Sequence, residues 1–376
     1  MPELIFRDFI ALDLGTALQV VLLGFIGGVL SGFIGSGGAF FMTPGMMNLG
    51  VPGVIAVGSN ITHKFGKALM GSRKHGELGN VDKKLGIFLL ATSFIGIRLA
   101  VWINTRLFGV VDTHGGGKGA AANLYISLVF VCILSAVAIS MLRDIVKSRQ
   151  EEGPSRKIAE ALGRMRLFPV IDFPVADVKV SLWVLAFVGL ATGYLAGTIG
   201  VGGFIGVPAM IYVFGVPTAV ATGTELFLAM FMGAFGALNY VIEGFVDLRL
   251  VMLLFLGSLV GIYVGTYGTK FVKEVVIRLV TSVVILLCVI SRGVAIPVYL
   301  RQLGFVSFDE AWVSRLNVAS KSMLFLAGIS GVLVIMFNVV KAFRRREAIR
   351  RSLAETAGLT KKSRPLTAGS RESGNG

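Results

Sequence analysis

The sequence predicts an all-α polytopic membrane protein made of two homologous helical halves, each carrying a Gly-rich broken or re-entrant segment. Three observations carry that prediction. Of 376 residues, 55% are hydrophobic and only 15% are charged, where soluble domains carry about 25% charged residues; the mean hydropathy is +0.81. Several apolar runs approach the roughly 20 residues that a spanning helix needs. The chain also repeats itself: Gly-Phe-Ile-Gly-Ser-Gly-Gly at 32–38 returns as Gly-Thr-Ile-Gly-Val-Gly-Gly at 197–203, 165 positions later. The same offset pairs Gly50-Val51-Pro52 with Gly215-Val216-Pro217, Ala56 and Gly58 with Ala221 and Gly223, and Val81-Asp82 with Val246-Asp247. A fixed, ungapped offset of this kind marks a duplication.

Along the chain, residues 1–14 read as a short amphipathic lead-in, without the cleavage pattern of a signal peptide. A first span covers about 15–34, with Gly24, Gly28 and Gly32 in the small-xxx-small spacing that lets helices approach closely. After the Gly cluster, 39–49 is too short to cross and suits a half-helix, which Pro44 further limits. The run 53–70 is apolar but carries Ser59, Asn60, Thr62, His63, Lys64 and Lys67. A basic connection at 71–84 leads to spans at 85–107 and 123–142, separated by a Gly-rich, external loop at 108–122. A basic linker holds a short surface helix near Ile158–Met165. The second half repeats the plan with 181–199, a half-helix at 204–214, then 218–242, 249–271 and 275–300; 318–340 is an extra helix. Two further small-residue ridges stand at Gly189, Gly193, Gly197 and at Gly257, Gly261, Gly265. The expected units are therefore 1–142, a first transmembrane repeat; 143–180, a cytoplasmic basic linker; 181–300, a second repeat; 301–340, an extra helix; and 341–376, a basic, partly disordered tail.

The net charge of +15 lies mostly in segments that flank spans, ten Lys or Arg against three acids in the tail alone. That distribution fits cytoplasmic loops and contact with lipid headgroups rather than nucleic acid. Orientation does not close on a count of spans. The linker is cytoplasmic, yet five spans after it leave the basic tail outside, so either one late segment fails to cross or a half-helix crosses after all. Cys132 and Cys288 lie within apolar runs, unrelated by the repeat, and form neither a disulfide framework nor a metal site. No zinc, Walker or dinucleotide pattern occurs, and His114-Gly115-Gly116-Gly117 has no nucleophile elbow beside it. No enzyme activity, cofactor or metal is expected.

Glycine tolerates dihedrals that end a helix, and interrupted helices persist in a bilayer only where protein or a wet cavity covers the freed backbone. Transporters place such interruptions in matching positions of two repeats, facing an ion near the midplane. The competing reading is that these glycines serve close packing alone.

The order of motifs in both halves resembles the TauE/SafE sulfite-exporter family, also called 4-toluene sulfonate uptake permeases. It rests on Gly35-Ser36-Gly37-Gly38, Pro44 and Gly79-Asn80-Val81-Asp82 in the first half. The second half supplies Gly200-Val201-Gly202-Gly203, Pro208, Ala221-Thr222-Gly223-Thr224 and Gly244-Phe245-Val246-Asp247. The resemblance implies a plasma-membrane permease for small sulfur-containing anions. Ser36, Val201, Ala39 and Phe204 depart from its usual glycine pattern, and the linker, extra helix and tail are additions.

The substrate-binding set expected is Gly35, Ser36, Gly37, Gly38, Ser59, Asn60, His63, Gly200, Val201, Gly202, Gly203, Thr222 and Thr224. Backbone amides of the Gly clusters would cradle the anion and hydroxyls would orient it, although hydroxyls in helices also bond back to their own carbonyls. Glu225, aligned with Asn60 across the repeat, is expensive in a span and is the candidate for proton coupling. Arg98 fits a structural charge pair better than a substrate contact. The function read from these residues is secondary transport by alternating access. The alternatives are a scaffold acting through the basic tail, which loses function when 341–376 is deleted, and a membrane enzyme, which needs a nucleophile or acid–base pair near the breaks.

Overall fold

The computed structural model describes residues 12–34, 38–77, 79–109, 119–147, 168–200, 202–269 and 274–362. The lead-in, most of the external loop with His114, the surface helix near 158–165 and the last residues of the tail lie outside them. The first half contains α1 (Leu14–Ile34), α2 (Ala39–Asn48), α3 (Gly53–Glu77), α4 (Lys83–Phe108) and α5 (Ala120–Lys147). The second contains α6 (Leu182–Ile199), α7 (Gly202–Ala209) continued by a π-helical turn (Met210–Phe214), α8 (Thr218–Ile242), α9 (Leu248–Thr269) and α10 (Glu274–Gln302). The extra helix α11 (Glu310–Lys362) follows and takes in the first part of the basic tail. Among the described residues, eight helices are long and apolar enough to cross a membrane. The 25-residue α3 is not one of them because of its cations, yet it packs along α8 inside the bundle.

Glycine ridges set the packing. A Cβ on Gly24, Gly28 or Gly32 of α1 would lie 2.5 Å from the carbonyl oxygens of Leu254, Ser258 and Ile262 on α9. From the other side, Gly257, Gly261 and Gly265 meet Val21, Phe25 and Val29 as closely. The equivalent pair is α4 with α6, where Gly189 and Gly193 face Leu89 and Ser93. Each half therefore sends its first helix against the fourth helix of the other, and α3 crosses α8 between them. Backbones this close leave no room for a side chain. Gly193→Val is expected to destabilise the protein by at least about 2 kcal/mol through overpacking, seen as a lower unfolding midpoint in detergent; an unchanged midpoint would contradict this packing.

Helix directions follow from the same contacts. Residue numbers rise together along α1 and α9, and along α4 and α6. Lys67 on α3 reaches Ser31 near the end of α1, while Gly53 starts beside Met47 at the end of α2, so α3 also runs with α1. Gly86 facing Phe227, Arg98 bonding Asn239 and Asn104 bonding Tyr240 make α4 parallel to α8. Gly58 against Tyr240 and Gly233 against Phe65 make α8 antiparallel to α3. Thus α1, α3 and α9 run one way and α4, α6 and α8 the other: the second half is inverted relative to the first.

This arrangement resolves the orientation count. Since α6 and α8 are parallel, the chain recrosses between them, through the half-helix region, and it does the same between α1 and α3. α10 runs back from the end of α9 to set Ser291 beside Asn48. α11 then returns, with Ser320 beside Ser291 and Ile335 beside Gly268. The basic ends of α3, α5 and α11 consequently share one face, the cytoplasmic one by the positive-inside rule.

Two local features differ from expectation. Pro44 lies within α2, and Pro208 within α7, without ending either helix at that residue; after Ala209 the backbone widens into the π turn. The basic linker contains an antiparallel hairpin, β1 (Val170–Phe173) with β2 (Val178–Ser181), for which the sequence carries no strand pattern. Phe173 is fully buried beneath it, and Ala176 N donates to Asp82 Oδ2 at 3.0 Å. Asp82 Oδ1 also caps α4 at Leu85 N, so one carboxylate fastens the linker to the mouth of the bundle.

Candidate functional site

The second interruption, at the end of α6, is held by three other helices drawn from both halves. α6 ends at Gly200, whose φ of 77° is left-handed and whose N–H returns to Ala196 O. The last carbonyls of a helix have no partner within it. Here Tyr240 Oη donates to Gly197 O at 2.6 Å, Asn104 Nδ2 to Thr198 O at 3.2 Å, and Thr43 Oγ1 to Ile199 O at 3.1 Å. With those acceptors engaged, the buried helix end offers a cation little.

Asn60 stands where the two interruptions meet. Its Nδ2 donates to Thr43 Oγ1 at 2.8 Å and to Ala39 O at 3.0 Å, and a Cβ on Gly200 would lie 3.0 Å from it. Asn60 Oδ1 is buried with no hydrogen-bond partner among the described residues. The start of α2 in one half is therefore joined to the end of α6 in the other through two polar side chains.

Glu225, at the equivalent position on α8, is 2% exposed, and neither carboxylate oxygen has a hydrogen-bond partner among the described residues. It faces Gly206 of α7, where a Cβ would fall 2.1 Å from Oε2. Beside it is a cavity of about 10 Å³ lined by Leu89, Ser93, Thr192 and Met210, room for about one water. Lys64 of α3 is its electrostatic partner, and Lys67, next along α3, interacts with Lys64 and donates to Ser31 Oγ at 2.9 Å. Both lysines are only part-buried, on the side of α3 toward its basic end. The other end is neutral: Tyr125 bonds Tyr194, beside Thr198, Tyr240 and Asn104.

Ser59 and Thr224 form a reciprocal pair. Ser59 Oγ accepts Asp247 N at 3.1 Å and Thr224 Oγ1 accepts Asp82 N at 3.0 Å. The same two turns rest on Gly58 and Gly223, where a Cβ would strike Phe245 O and Asn80 O. A hydroxyl of each half thus anchors the turn of the other, at opposite ends of the bundle.

The remaining predicted residues are dispersed. His63 Nε2 lies 2.7 Å from Ser258 Oγ with its ring 4.6 Å from Phe255, a contact between α3 and α9. Thr222 donates to Thr218 O of its own helix. Gly38 is buried where a Cβ would collide with Gly27 O, which is the close-packing role. Gly203 is buried and Gly202 opens α7; Gly35, Ser36, Gly37 and Val201 lie outside the described residues. Arg98 bonds Asn239 and pairs with Glu243 at 3.4 Å, a structural role. Sequence reading missed Thr43, Asn104, Tyr240 and Gly206, and it gave Lys64 no fixed place. Their signal was a polar group in an apolar run, without any indication of which helix it would meet.

The family model for Sulfite exporter TauE/SafE matches residues 20–292. The chain belongs to the TauE/SafE family. Every residue of the polar site described above falls within the TauE/SafE match, and α11 falls beyond it. The chain is 26% identical over 269 residues to Probable membrane transporter protein YdhB of Bacillus subtilis (strain 168), covering 69% of this chain and 94% of that one. It is 28% identical over 253 residues to Probable membrane transporter protein YjnA of the same organism, covering 67% and 89%. A third protein of that organism, Probable membrane transporter protein YunE, is 24% identical over 278 residues, covering 71% and 94%. No solved structure matches the chain significantly. The protein is thus a multi-pass membrane protein of a transporter family.

Proposed function

We propose that the protein is a secondary transporter of small sulfur-containing anions, such as sulfite and sulfonates, working by alternating access. The observation that carries this reading is the meeting of the two interruptions at Asn60, Thr43 and Gly200, with Lys64, one turn along α3 from Asn60, feeling the charge of Glu225. A site made jointly by inverted halves is what exchange of access between two faces requires. Lys64 supplies the attraction for an anion, with Lys67 drawing it in from the cytoplasmic mouth. Asn60 and the backbone around 35–38 and 200–203 orient it. Glu225 carries the coupling proton, and the turns held by Thr224 and Ser59 are the two gates, released one at a time. His63 and Thr222 act in this scheme from the flanks, through packing of α3 and α8.

Flux into proteoliposomes tests it. Sulfite, thiosulfate, sulfoacetate and taurine are compared with chloride and simple carboxylates as counterflow substrates. Sulfur oxyanions are expected to exchange and chloride is not. Equal flux of every anion would remove the substrate assignment, and flux of none would remove the transport reading.

A further inference from the structure

Arg292 lies apart from the polar site, on α10, and is 1% exposed. Its Nη2 donates to Tyr299 Oη at 3.2 Å and its guanidinium stands 5.8 Å from the Tyr299 ring. Nε and Nη1 have no hydrogen-bond partner, and no carboxylate pairs with it among the described residues. A guanidinium does not shed its proton in a protein, so this charge cannot be relieved by neutralisation, unlike a buried lysine. A buried charge needs a partner, and one tyrosine hydroxyl is not a counter-charge.

A Cβ on the adjacent Gly293 would meet nothing within 4 Å. Ser127 of α5, the helix that packs along α10, is buried with its hydroxyl also unpartnered. Ser127 and Arg292 are equivalent under the repeat offset, so the matching position of the other half holds no cation. Tyr299 lies toward Gln302, the end of α10 on the face opposite the basic segments. The side chain therefore reaches toward the outer membrane interface.

We propose that Arg292 holds the oxyanion of a bound ligand of phosphate type, at a site between α5, α10 and α11 separate from the proposed transport site. The oxyanion comes either from an anionic lipid headgroup of the outer leaflet or from a free inorganic phosphate. Nε and Nη1 supply charge-assisted hydrogen bonds to it, and Tyr299 fixes the guanidinium plane.

The test uses the full chain, delipidated in detergent, and its Arg292→Met variant. Phosphatidylglycerol retention is read by native mass spectrometry with phosphatidylcholine as the control, and the unfolding midpoint is read against inorganic phosphate. Wild type is expected to bind one of the two with an affinity about tenfold or more above that of R292M, the effect of losing a charge-assisted hydrogen bond. Retention of phosphatidylglycerol alone identifies the lipid as source; a midpoint raised by phosphate alone identifies the free ion. A wild type that responds to neither overturns the proposal, as does R292M responding like wild type. If the variant fails to fold, the wild-type titrations decide by themselves.

Discussion

Glu225→Gln makes transport insensitive to pH. The side chain keeps its shape against Gly206 but can no longer exchange a proton. In the proposed scheme, ionised Glu225 competes for Lys64, and protonation would release that cation to an incoming anion. Wild-type flux is accordingly expected to rise as pH falls through the titration of Glu225. The variant, fixed in the uncharged form, matches the low-pH plateau at every pH. A sulfonate is the right probe, because its own charge does not change over the range. A variant that keeps the full pH response would show that some other group carries the proton.

The second large effect is expected at Lys64. Lys64→Gln removes the cation whose field reaches the Glu225 carboxylate and, in the proposed scheme, the charge that attracts the substrate. Uptake at low substrate should fall about tenfold or more, the worth of a charge-assisted contact, while Lys64→Arg keeps part of it. Lys67→Gln should cost less, since Lys67 is already held by Ser31. The comparison is a kcat/KM series in proteoliposomes with matched insertion. Equal losses for K64Q and K67Q would mean that the lysines act only as a diffuse field at the mouth.

Much of this architecture is written in the chain because it depends on local pattern. Helix α8 was expected at 218–242 and spans Thr218–Ile242; helices end at Ile34 and Ile199, where the Gly clusters begin. All three small-residue ridges were visible. That two of them face each other was not, because a ridge carries no mark of its partner. The direction of the second half was hidden for a related reason: the half-helix regions are too short to register as crossings, and α3 is too polar to read as a full span. The hairpin at 170–181 escaped because four-residue strands in a polar linker have almost no periodicity to detect.

The site divides in the same way. Glu225 and Asn60 were legible from the offset and from the cost of a polar group in a span. Thr43, Asn104 and Tyr240 were not, since they matter only through carbonyls that α6 leaves unpaired at Ile199. Ser59 and Thr224 were expected to meet substrate directly. Their oxygens accept the N–H groups of Asp247 and Asp82, a role that requires knowing the turns fold inward.

The pairing of α1 with α9 bears on how the protein is made. During synthesis, α1 enters the bilayer long before Leu248 leaves the ribosome, and until then Gly24, Gly28 and Gly32 face lipid or a helper protein. A nascent chain stalled before α9 should therefore remain open to crosslinking along that stripe, and become protected only once the late helix has been inserted.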